Sequence, residues 1–368
     1  MTLLTVNSGS TSVKLALYDA SSADTPTRVG AEQHSGNTLD PQSVLGTLSS
    51  HLPSAPQVIA HRIVHGGTRF VEPTRLDDAA LAAIAELAPL APLHNPVALR
   101  WVSAAREVWG AQTPQVAVFD TAFFAKLPRV AAEYALPPSL GVDLSVRRYG
   151  FHGLAHESMW RSWCGLYPEL PGGGRLITLQ LGGGCSIAAI ARGRPLDTSM
   201  GFSPLEGLVM ATRSGDIDPA VIPYLQKQLG LTSEEVIGLL NHKCGLAGVS
   251  GTDANPTELL ADPSPQRQFA VELYCYRIRK YIGAYLAVLE GCDGIVFGGG
   301  VGERAPGVRE RALSGLAWAG ALLDPALNEA ARGGRARISA LDATVKVHVI
   351  PGDEELVMAR AAAALLRA

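Results

Sequence analysis

The stretch 1-MTLLTVNSGSTSVKLALYD-19 decides the predicted fold. An apolar run over residues 3–6 precedes the polar segment 7–12, and apolar side chains then alternate along residues 13–17. This pattern predicts a strand, a tight turn and a second strand. Gly9 lets the backbone approach a ligand, the hydroxyls can donate hydrogen bonds, and Lys14 supplies a positive charge. The turn therefore suits phosphate groups, with an ordinary polar hairpin turn as the alternative.

A second hairpin of the same kind is predicted over residues 176–190. Apolar residues 176–181 lead into Gly182-Gly183-Gly184, and another apolar run follows. Ser186-Ile187 aligns with Ser12-Val13 of the first hairpin. Because one hairpin occurs in each half of the chain, we predict a duplicated α/β domain with a cleft between the two copies.

The composition limits the classes of protein that the chain can belong to. It has 368 residues, 47% of them hydrophobic and 18% charged, so two folded domains are expected. A net charge of −3 gives no reason to expect nucleic acid or a membrane surface as a partner. We find neither a leader pattern nor an apolar run of about 18 residues. The five scattered cysteines favour a reducing cytoplasm over a disulfide framework.

Several candidate residues of the first half follow predicted strands. Arg62 and Val64 share one face of a strand that begins near residue 57, because strand side chains alternate. Asp120 follows a strand at 115–119, where α/β proteins place catalytic groups, although it could simply cap the next segment. His94 precedes a helix for which Asn95 is the predicted N-cap, and it could be a structural histidine. Residues 20–57 are predicted as a weakly patterned surface excursion.

The second half carries its candidates in glycine-rich loops. Glycines flank Phe151-His152, and Arg213 lies in a broken loop without the acidic helical neighbour of a surface ion pair. A buried strand at 294–298 ends in a glycine-rich run that continues to Glu303. Asp353 is the predicted N-cap of a C-terminal helix.

Several common catalytic motifs are absent from the sequence. It contains no Gly-Lys dipeptide and hence no G-x-x-x-x-G-K-[ST] loop, and it lacks H-R-D, D-F-G, H-E-x-x-H and G-x-G-x-x-G. What remains is a set of glycine-rich strand ends, isolated arginines, histidines and carboxylates. Such a set favours an anionic ligand and a divalent cation over acyl hydrolysis or hydride transfer.

Eight motifs occur in the order seen in one known family. They are VNSGSTSVKLAL (6–17), HRIVHGG (61–67), LAPLHNP (90–96), VFDTAF (118–123), YGFHG (149–153), TSMGFSPLEGL (198–208), TRSGDIDP (212–219) and VIPGDEEL (349–356). In these motifs the chain resembles the acetate and short-chain acyl kinases, which belong to the sugar kinase, Hsp70 and actin superfold. The matches leave mainly residues 20–57 uncovered.

The resemblance implies a fold and a reaction. The fold is α/β, with duplicated actin-like (ribonuclease H-like) domains and an interdomain catalytic cleft. Residues 1–148 with the helix 354–368 would form the N-terminal domain, and residues 149–353 the C-terminal domain with the donor nucleotide site. The reaction is direct, reversible phosphoryl transfer from ATP to acetate, giving acetyl phosphate and ADP, with Mg²⁺ or Mn²⁺. A cytoplasmic homodimer without nucleic-acid or membrane partners is expected.

The resemblance also implies roles for individual residues. The predicted catalytic residues are Arg62, Asp120, His152 and Arg213, and the predicted metal site is Asn7 and Glu354. Acetate or another short-chain carboxylate would contact Arg62, Val64, Leu93, His94, Phe151 and Pro204. Phosphate and nucleotide would contact Ser10, Ser12, Lys14, Gly182, Gly183, Gly184, Gly300, Val301, Gly302 and Glu303.

The sequence departs from the family pattern on the donor side. The usual L-G-N-G-S-S reads Leu181 to Ser186 with Gly183 and Cys185 in place of Asn and Ser, and the usual G-I-G-E-N ends in Arg304. The usual D-F-R aligns with Asn255-Pro256-Thr257. The alternatives are therefore tolerated variation and an altered donor, such as another nucleoside triphosphate or pyrophosphate. A propionate or other short-chain acyl kinase and a non-catalytic nucleotide sensor are further alternatives.

Overall fold

A computed structural model of the chain describes residues 1–9, 12–21, 25–36, 39–253 and 255–367. The chain divides into two compact units, the first comprising residues 1–125 with 353–368 and the second residues 126–352. Within the described residues, each unit holds a six-stranded sheet with helices. The predicted α/β class is therefore confirmed, while the predicted domain boundary after residue 148 stays a prediction.

The first unit begins with three antiparallel strands and continues with alternating helices and strands. Its elements are β1 (Thr2–Ser8), β2 (Ser12–Asp19), β3 (Thr27–Ser35), α1 (Pro41–His51), β4 (Val58–Ile63), β5 (Thr74–Arg75), α2 (Asp78–Glu86), α3 (Asn95–Trp109) and β6 (Gln115–Phe119). The strand order is β3-β2-β1-β4-β6-β5, with β4 parallel to both β1 and β6. The carboxyl ends of these three parallel strands consequently lie at one edge of the sheet.

The prediction of a weakly patterned excursion at residues 20–57 was wrong. This segment contains β3 and α1. β3 is exposed at almost every residue and so lacks the alternation by which a half-buried strand is recognised. The start of α1 carries an available signal, because Asp40 caps the helix by accepting a bond from Ser43 N at 3.0 Å and Pro41 opens it.

The second unit repeats the sheet with more helices around it. Its elements are α4 (Arg129–Ala132), α5 (Pro138–Gly141), α6 (Gly153–Leu166), β7 (Arg175–Leu181), β8 (Cys185–Ala191), β9 (Arg194–Thr198), α7 (Val221–Leu229), α8 (Ser233–His242), α9 (Gly245–Ser250), α10 (Pro256–Ala261), α11 (Pro265–Val288), β10 (Gly294–Gly298), α12 (Gly299–Arg304), α13 (Pro306–Leu313), α14 (Pro325–Ala330), β11 (Ala336–Arg337) and β12 (Lys346–Val349). Its strand order is β9-β8-β7-β10-β12-β11.

The two sheets have the same topology. In each, three antiparallel strands precede two parallel ones, and a short antiparallel edge strand precedes the last parallel strand in sequence. The hairpin β7–β8 pairs over its full length, as β1–β2 does. The predicted duplication is therefore confirmed in the strand order itself.

The C-terminal helix α15 (Glu354–Arg367) returns to the first unit and packs on β1, β4 and β6. Asp353 accepts a bond from Leu356 N at 2.9 Å, which confirms the predicted N-cap. On the other face of the sheet, Leu4, Val6 and Ile59 pack with Trp101 of α3. The sheet is thus covered on both faces, which explains why its central strands are almost continuously buried. Among the described residues, no helix is long and apolar enough to span a membrane.

Candidate functional site

Three predicted residues of the first unit lie at the carboxyl edge of its sheet. Asn7 is near the end of β1, Arg62 is near the end of β4, and Asp120 follows β6 directly. Glu354 opens α15, whose N-terminus favours negative charge. The strand register thus gathers residues that are far apart in the sequence.

Arg62 is the centre of this group. Its Nε lies 3.1 Å from each oxygen of Asp120, and its Nη2 donates to Asp120 Oδ2 at 2.6 Å. Its Nη1 donates to Asn7 Oδ1 at 3.1 Å and lies 3.7 Å from Glu354 Oε2. Asp120 is buried and the Arg62 side chain is 15% exposed, so the pair holds one geometry with little access for water.

The carboxylates around Arg62 outnumber the guanidinium that they face. Burial tends to lower the pKa of Arg62, but the carboxylates of Asp120, Glu354 and Glu355 outweigh it and raise the pKa, so the guanidinium stays protonated. Burial raises the pKa of Asp120, against the opposing effect of Arg62. Three carboxylates facing one guanidinium leave an excess of negative charge, which favours a cation.

Asn7 joins this group to α15. Its Nδ2 donates to Glu354 Oε2 and to Glu355 Oε1, both at 2.7 Å. Sequence reasoning missed Glu355, although its place beside Glu354 at the start of a capped helix was an available signal. Across the described ranges, no three His, Cys, Asp or Glu side chains form a cluster able to hold a metal ion by themselves. The metal roles of Asn7 and Glu354 stay predictions.

The other predicted residues of the first unit are placed differently from one another. Val64 is buried just beyond β4, whereas Leu93 is 52% exposed. His94, not Asn95, is the N-cap of α3, which corrects the prediction for Asn95. The buried Asn95 side chain instead bonds the backbone of His65, accepting from its N at 3.1 Å and donating to its O at 3.0 Å. This pair fixes the segment that follows β4.

Three residues of the predicted phosphate-binding hairpin, Gly9, Ser12 and Lys14, are among those that the structure describes. Gly9 N donates to Ser12 O at 2.7 Å, and Ser12 begins β2. Lys14 is exposed and lies opposite Asn7 in the strand register, so the two side chains leave the same face of the sheet. The predicted contact of Ser10 lies outside the described residues.

In the second unit, the glycine turn 182–184 lies against two predicted residues. A Cβ on Gly184 would stand 3.2 Å from His152 Cε1 and 3.6 Å from Arg213 Nη1. His152 has a left-handed backbone, with φ 57° and ψ 27°, between the buried residue Phe151 and the first residue of α6. Left-handed backbone at a non-glycine residue is uncommon and here aims the imidazole at the turn.

A hydrogen-bonded series supports His152 from behind. Its Nδ1 lies 2.9 Å from Ser186 Oγ, and the same hydroxyl lies 2.8 Å from Nε2 of His156. His156 Nδ1 in turn lies 2.7 Å from Thr178 Oγ1. The sequence does not reveal this bridge, because Ser186 and Thr178 lie on adjacent strands and only the register brings them together.

Arg213 is held without an acidic partner. Its Nη1 donates to Pro204 O at 3.2 Å, and no carboxylate of the described residues lies within 4.0 Å of it. Burial lowers the pKa of its guanidinium. The loops carrying Pro204 and Arg213 are tied together, since Asp216 accepts from Gly207 N at 2.8 Å. A fixed, half-buried arginine of this kind is suited to an anion.

The residues predicted on the donor side, and the departures from the family pattern there, lie in three places in the second unit. Gly300, Val301, Gly302 and Glu303 all lie in α12, directly after β10. Gly183 has open space where a side chain would stand, so its backbone does not require glycine for room. Asn255 caps α10 by accepting from Thr257 N and Glu258 N, which gives this departure from the family pattern a structural role.

The buried Cys185 belongs to the same turn. Its Sγ donates to Gly182 O at 3.4 Å and lies 3.2 Å from the hydroxyl of Tyr274. Burial raises the pKa of the thiol, which therefore stays neutral and serves as a packing and hydrogen-bonding group.

Two sheets of this strand order define the actin-like class of α/β proteins. A model described as the acetokinase family matches residues 42–360. The chain is 45% identical to the acetate kinase of Solibacter usitatus, over 82% of this chain and 74% of that relative. The crystal structure of Porphyromonas gingivalis acetate kinase is similar at a TM-score of 0.88 and 34% identity, covering 99% of both chains. A propionate kinase structure from Francisella tularensis is similar at 0.85 and 31%, covering 98% of both. The chain belongs to the acetokinase family.

Proposed function

We propose that the chain is an acetate kinase, which transfers a phosphoryl group reversibly from ATP to acetate. The similarity to acetate kinases over most of the chain supports the reaction. Arg213 carries the proposal within the structure, because it is a half-buried cation with no carboxylate partner in the described part of the chain, held beside His152 and the glycine turn. A nucleotide sensor would not need this arrangement.

The chemistry asks mainly for positioning and charge stabilisation. A carboxylate with a pKa of about 4–5 is ionised at neutral pH, so the acceptor needs no general base. The difficulty is the approach of one anion to another and the charge on the transferring phosphoryl oxygens. We assign Arg213 and His152 to those oxygens, Arg62 to the acceptor carboxylate and Asp120 to orienting Arg62. Transfer is then direct, without a phosphoenzyme.

We further propose that Mg²⁺ accompanies the nucleotide. The excess of carboxylates over guanidinium beside Asn7 suits a hard cation with oxygen ligands. Mg²⁺ commonly takes one or two carboxylates and keeps waters and phosphate oxygens, so a set smaller than three acidic ligands fits it. When bound, the ion would neutralise phosphate charge, and Asn7 with Glu354 would hold it.

A donor-by-acceptor matrix tests the proposed function. ATP, GTP and pyrophosphate are each combined with acetate, propionate and butyrate, and acyl phosphate is trapped as the hydroxamate. We expect ATP with acetate and Mg²⁺ to give the highest kcat/KM, and EDTA to abolish turnover. One methylene changes discrimination in an apolar pocket by only about 1–3 kcal/mol, so propionate should react more slowly but measurably.

The same matrix decides between the alternatives. Higher kcat/KM with pyrophosphate or GTP would overturn ATP as the donor. The open space at Gly183, where the family usually has Asn, is the observation that favours testing other donors. Higher kcat/KM with propionate than with acetate would support a propionate kinase, the function named for the similar Francisella structure. Nucleotide binding without any acyl phosphate would support a sensor.

Ser186→Ala tests the bridge between the two histidines. The substitution removes the hydroxyl shared by His152 and His156, and a displaced catalytic group can cost about 10²-fold in rate. We expect kcat to fall about 10-fold to 100-fold while the KM for acetate stays within about twofold. Ser162→Ala, at a half-buried residue of α6 in the same unit, is the control and should change neither quantity. Unchanged kcat in Ser186→Ala would refute the bridge as a support of catalysis.

Two further proposals concern location and assembly. The five cysteines are free, which supports a reducing cytoplasm. Phe269 and Tyr276 are exposed two turns apart on α11, which supports a homodimer formed through an apolar helix face.

A further inference from the structure

Arg309 on α13 is a fully buried cation whose hydrogen-bond partners are not carboxylates. Its exposed fraction is zero, and no carboxylate in the part of the chain that the structure describes lies within 4.0 Å of it. Burial and the nearby Arg332 lower its pKa to about 10, against the opposing effect of Glu329, and the guanidinium stays protonated at neutral pH. Burying an unpaired charge is unfavourable, so its presence requires specific hydrogen-bond partners.

Those partners are five oxygens: four backbone carbonyl oxygens at the ends of two helices, and the side-chain amide oxygen of Asn328. Nη1 donates to the backbone oxygens of Gly302 at 2.8 Å and Glu303 at 3.1 Å, in the last turn of α12. Nη2 donates to the oxygens of Asn328 at 2.6 Å and Ala331 at 2.7 Å, at the end of α14. Nε donates to Asn328 Oδ1 at 2.8 Å. The last carbonyls of a helix lack partners within the helix and carry partial negative charge, so one guanidinium satisfies both ends.

α12 depends on this support more than an ordinary helix would. It has six residues, three of them glycine, and glycine is a poor helix former. Its first residue is fixed at the other end, because Gly299 has φ +76° and a Cβ there would stand 2.5 Å from Leu181 O, just before the glycine turn. The position of α12 is therefore fixed at its start by the contact with Leu181 and at its end by the hydrogen bonds from Arg309.

We propose that Arg309 is a positioning residue of the nucleotide site. It fixes residues 300–303, which the family resemblance assigns to the nucleotide, and so controls affinity for the nucleotide but not for the carboxylate acceptor. The inference rests on the proposed function. Lysine cannot replace it, because a single ammonium group cannot reach five oxygens across two helix ends.

Arg309→Lys tests the proposal in the full-length chain, with Arg311→Lys on the same helix as the control. We expect Arg309→Lys to raise the KM for ATP and the Kd for ADP about tenfold, with the KM for acetate unchanged within about twofold. Arg311→Lys should leave all three unchanged, since among the described residues the Arg311 side chain donates to Gln268 Oε1 and to neither helix end that Arg309 bonds.

Asn328→Ala is a second variant that tests the same proposal if Arg309→Lys does not fold. It removes one of the five acceptors and should raise the KM for ATP in the same direction by a smaller factor. A lower melting temperature with an unchanged KM for ATP and Kd for ADP, or an equal rise in both KM values, would overturn the proposal. Failure of the proposed function is a separate result, because it would show in the wild-type chain as no acyl phosphate from ATP.

Discussion

Replacing Arg213 by alanine is expected to lower kcat by about 10³-fold or more, since an arginine that neutralises a transferring phosphoryl group contributes about 10³–10⁵ in rate. The loss should fall on kcat rather than on the KM for acetate, because the charge to be stabilised is greatest in the transition state. Steady-state kinetics with ATP and acetate measure both quantities. Lysine at the same position restores charge but not the planar pair of donors, so it should recover only part of the rate.

The stability of this variant separates catalysis from folding. Because Arg213 has no carboxylate partner among the described residues, its removal leaves no buried charge unpaired. We therefore expect the melting temperature to stay within about 4 °C of the wild type. Arg194→Ala, an exposed arginine on β9 of the same unit, is the control and should change neither rate nor stability. A kcat within threefold of the wild type would refute the assigned role.

The positions of Arg62 and Asp120 relative to their strands are what the sequence alone predicted well in the candidate site. Arg62 and Asp120 follow short apolar runs, and parallel strands bring their carboxyl ends to one edge, so pattern and topology together placed them. The contact of Asn7 with Glu354 spans 347 positions and depends on α15 returning to the first sheet. Nothing in local spacing predicts that return, and only the family resemblance indicated it.

Support residues were predicted poorly for a different reason. Ser186, Thr178 and Arg309 resemble ordinary strand and helix residues in sequence, and their roles come from partners on neighbouring elements. The exposed strand β3 escaped notice because periodicity reports burial on one face, and β3 has almost none. Periodic patterns thus predict the elements that bury surface, whereas hydrogen bonds between separate elements can be identified only in the three-dimensional structure.

Replacing Asp120 by alanine is expected to destabilise the first unit by about 3–5 kcal/mol, the usual cost of breaking a buried ion pair. The side chain is buried and bonds Arg62 through both of its oxygens, so truncation leaves a buried guanidinium without its two-pronged partner. Urea denaturation measures the change in the free energy of unfolding. Turnover should fall as well, because Arg62 loses the two-pronged contact that fixes its direction.

Asp120→Asn separates the two effects. The amide keeps one oxygen that can accept from Arg62 but turns an N–H group toward the second donor, so only part of the stability should return, and the lost two-pronged contact should keep kcat about 10²-fold below the wild type. Asp78→Ala is the matched control, since it removes an ion pair with Arg106 in the same unit whose carboxylate is 95% exposed. Exposed pairs contribute at most about 1 kcal/mol, so this variant should be close to the wild type. Equal destabilisation by Asp78→Ala and Asp120→Ala would contradict a special role for burial. Full activity in Asp120→Asn would refute the role of the two-pronged Asp120 contact in orienting Arg62.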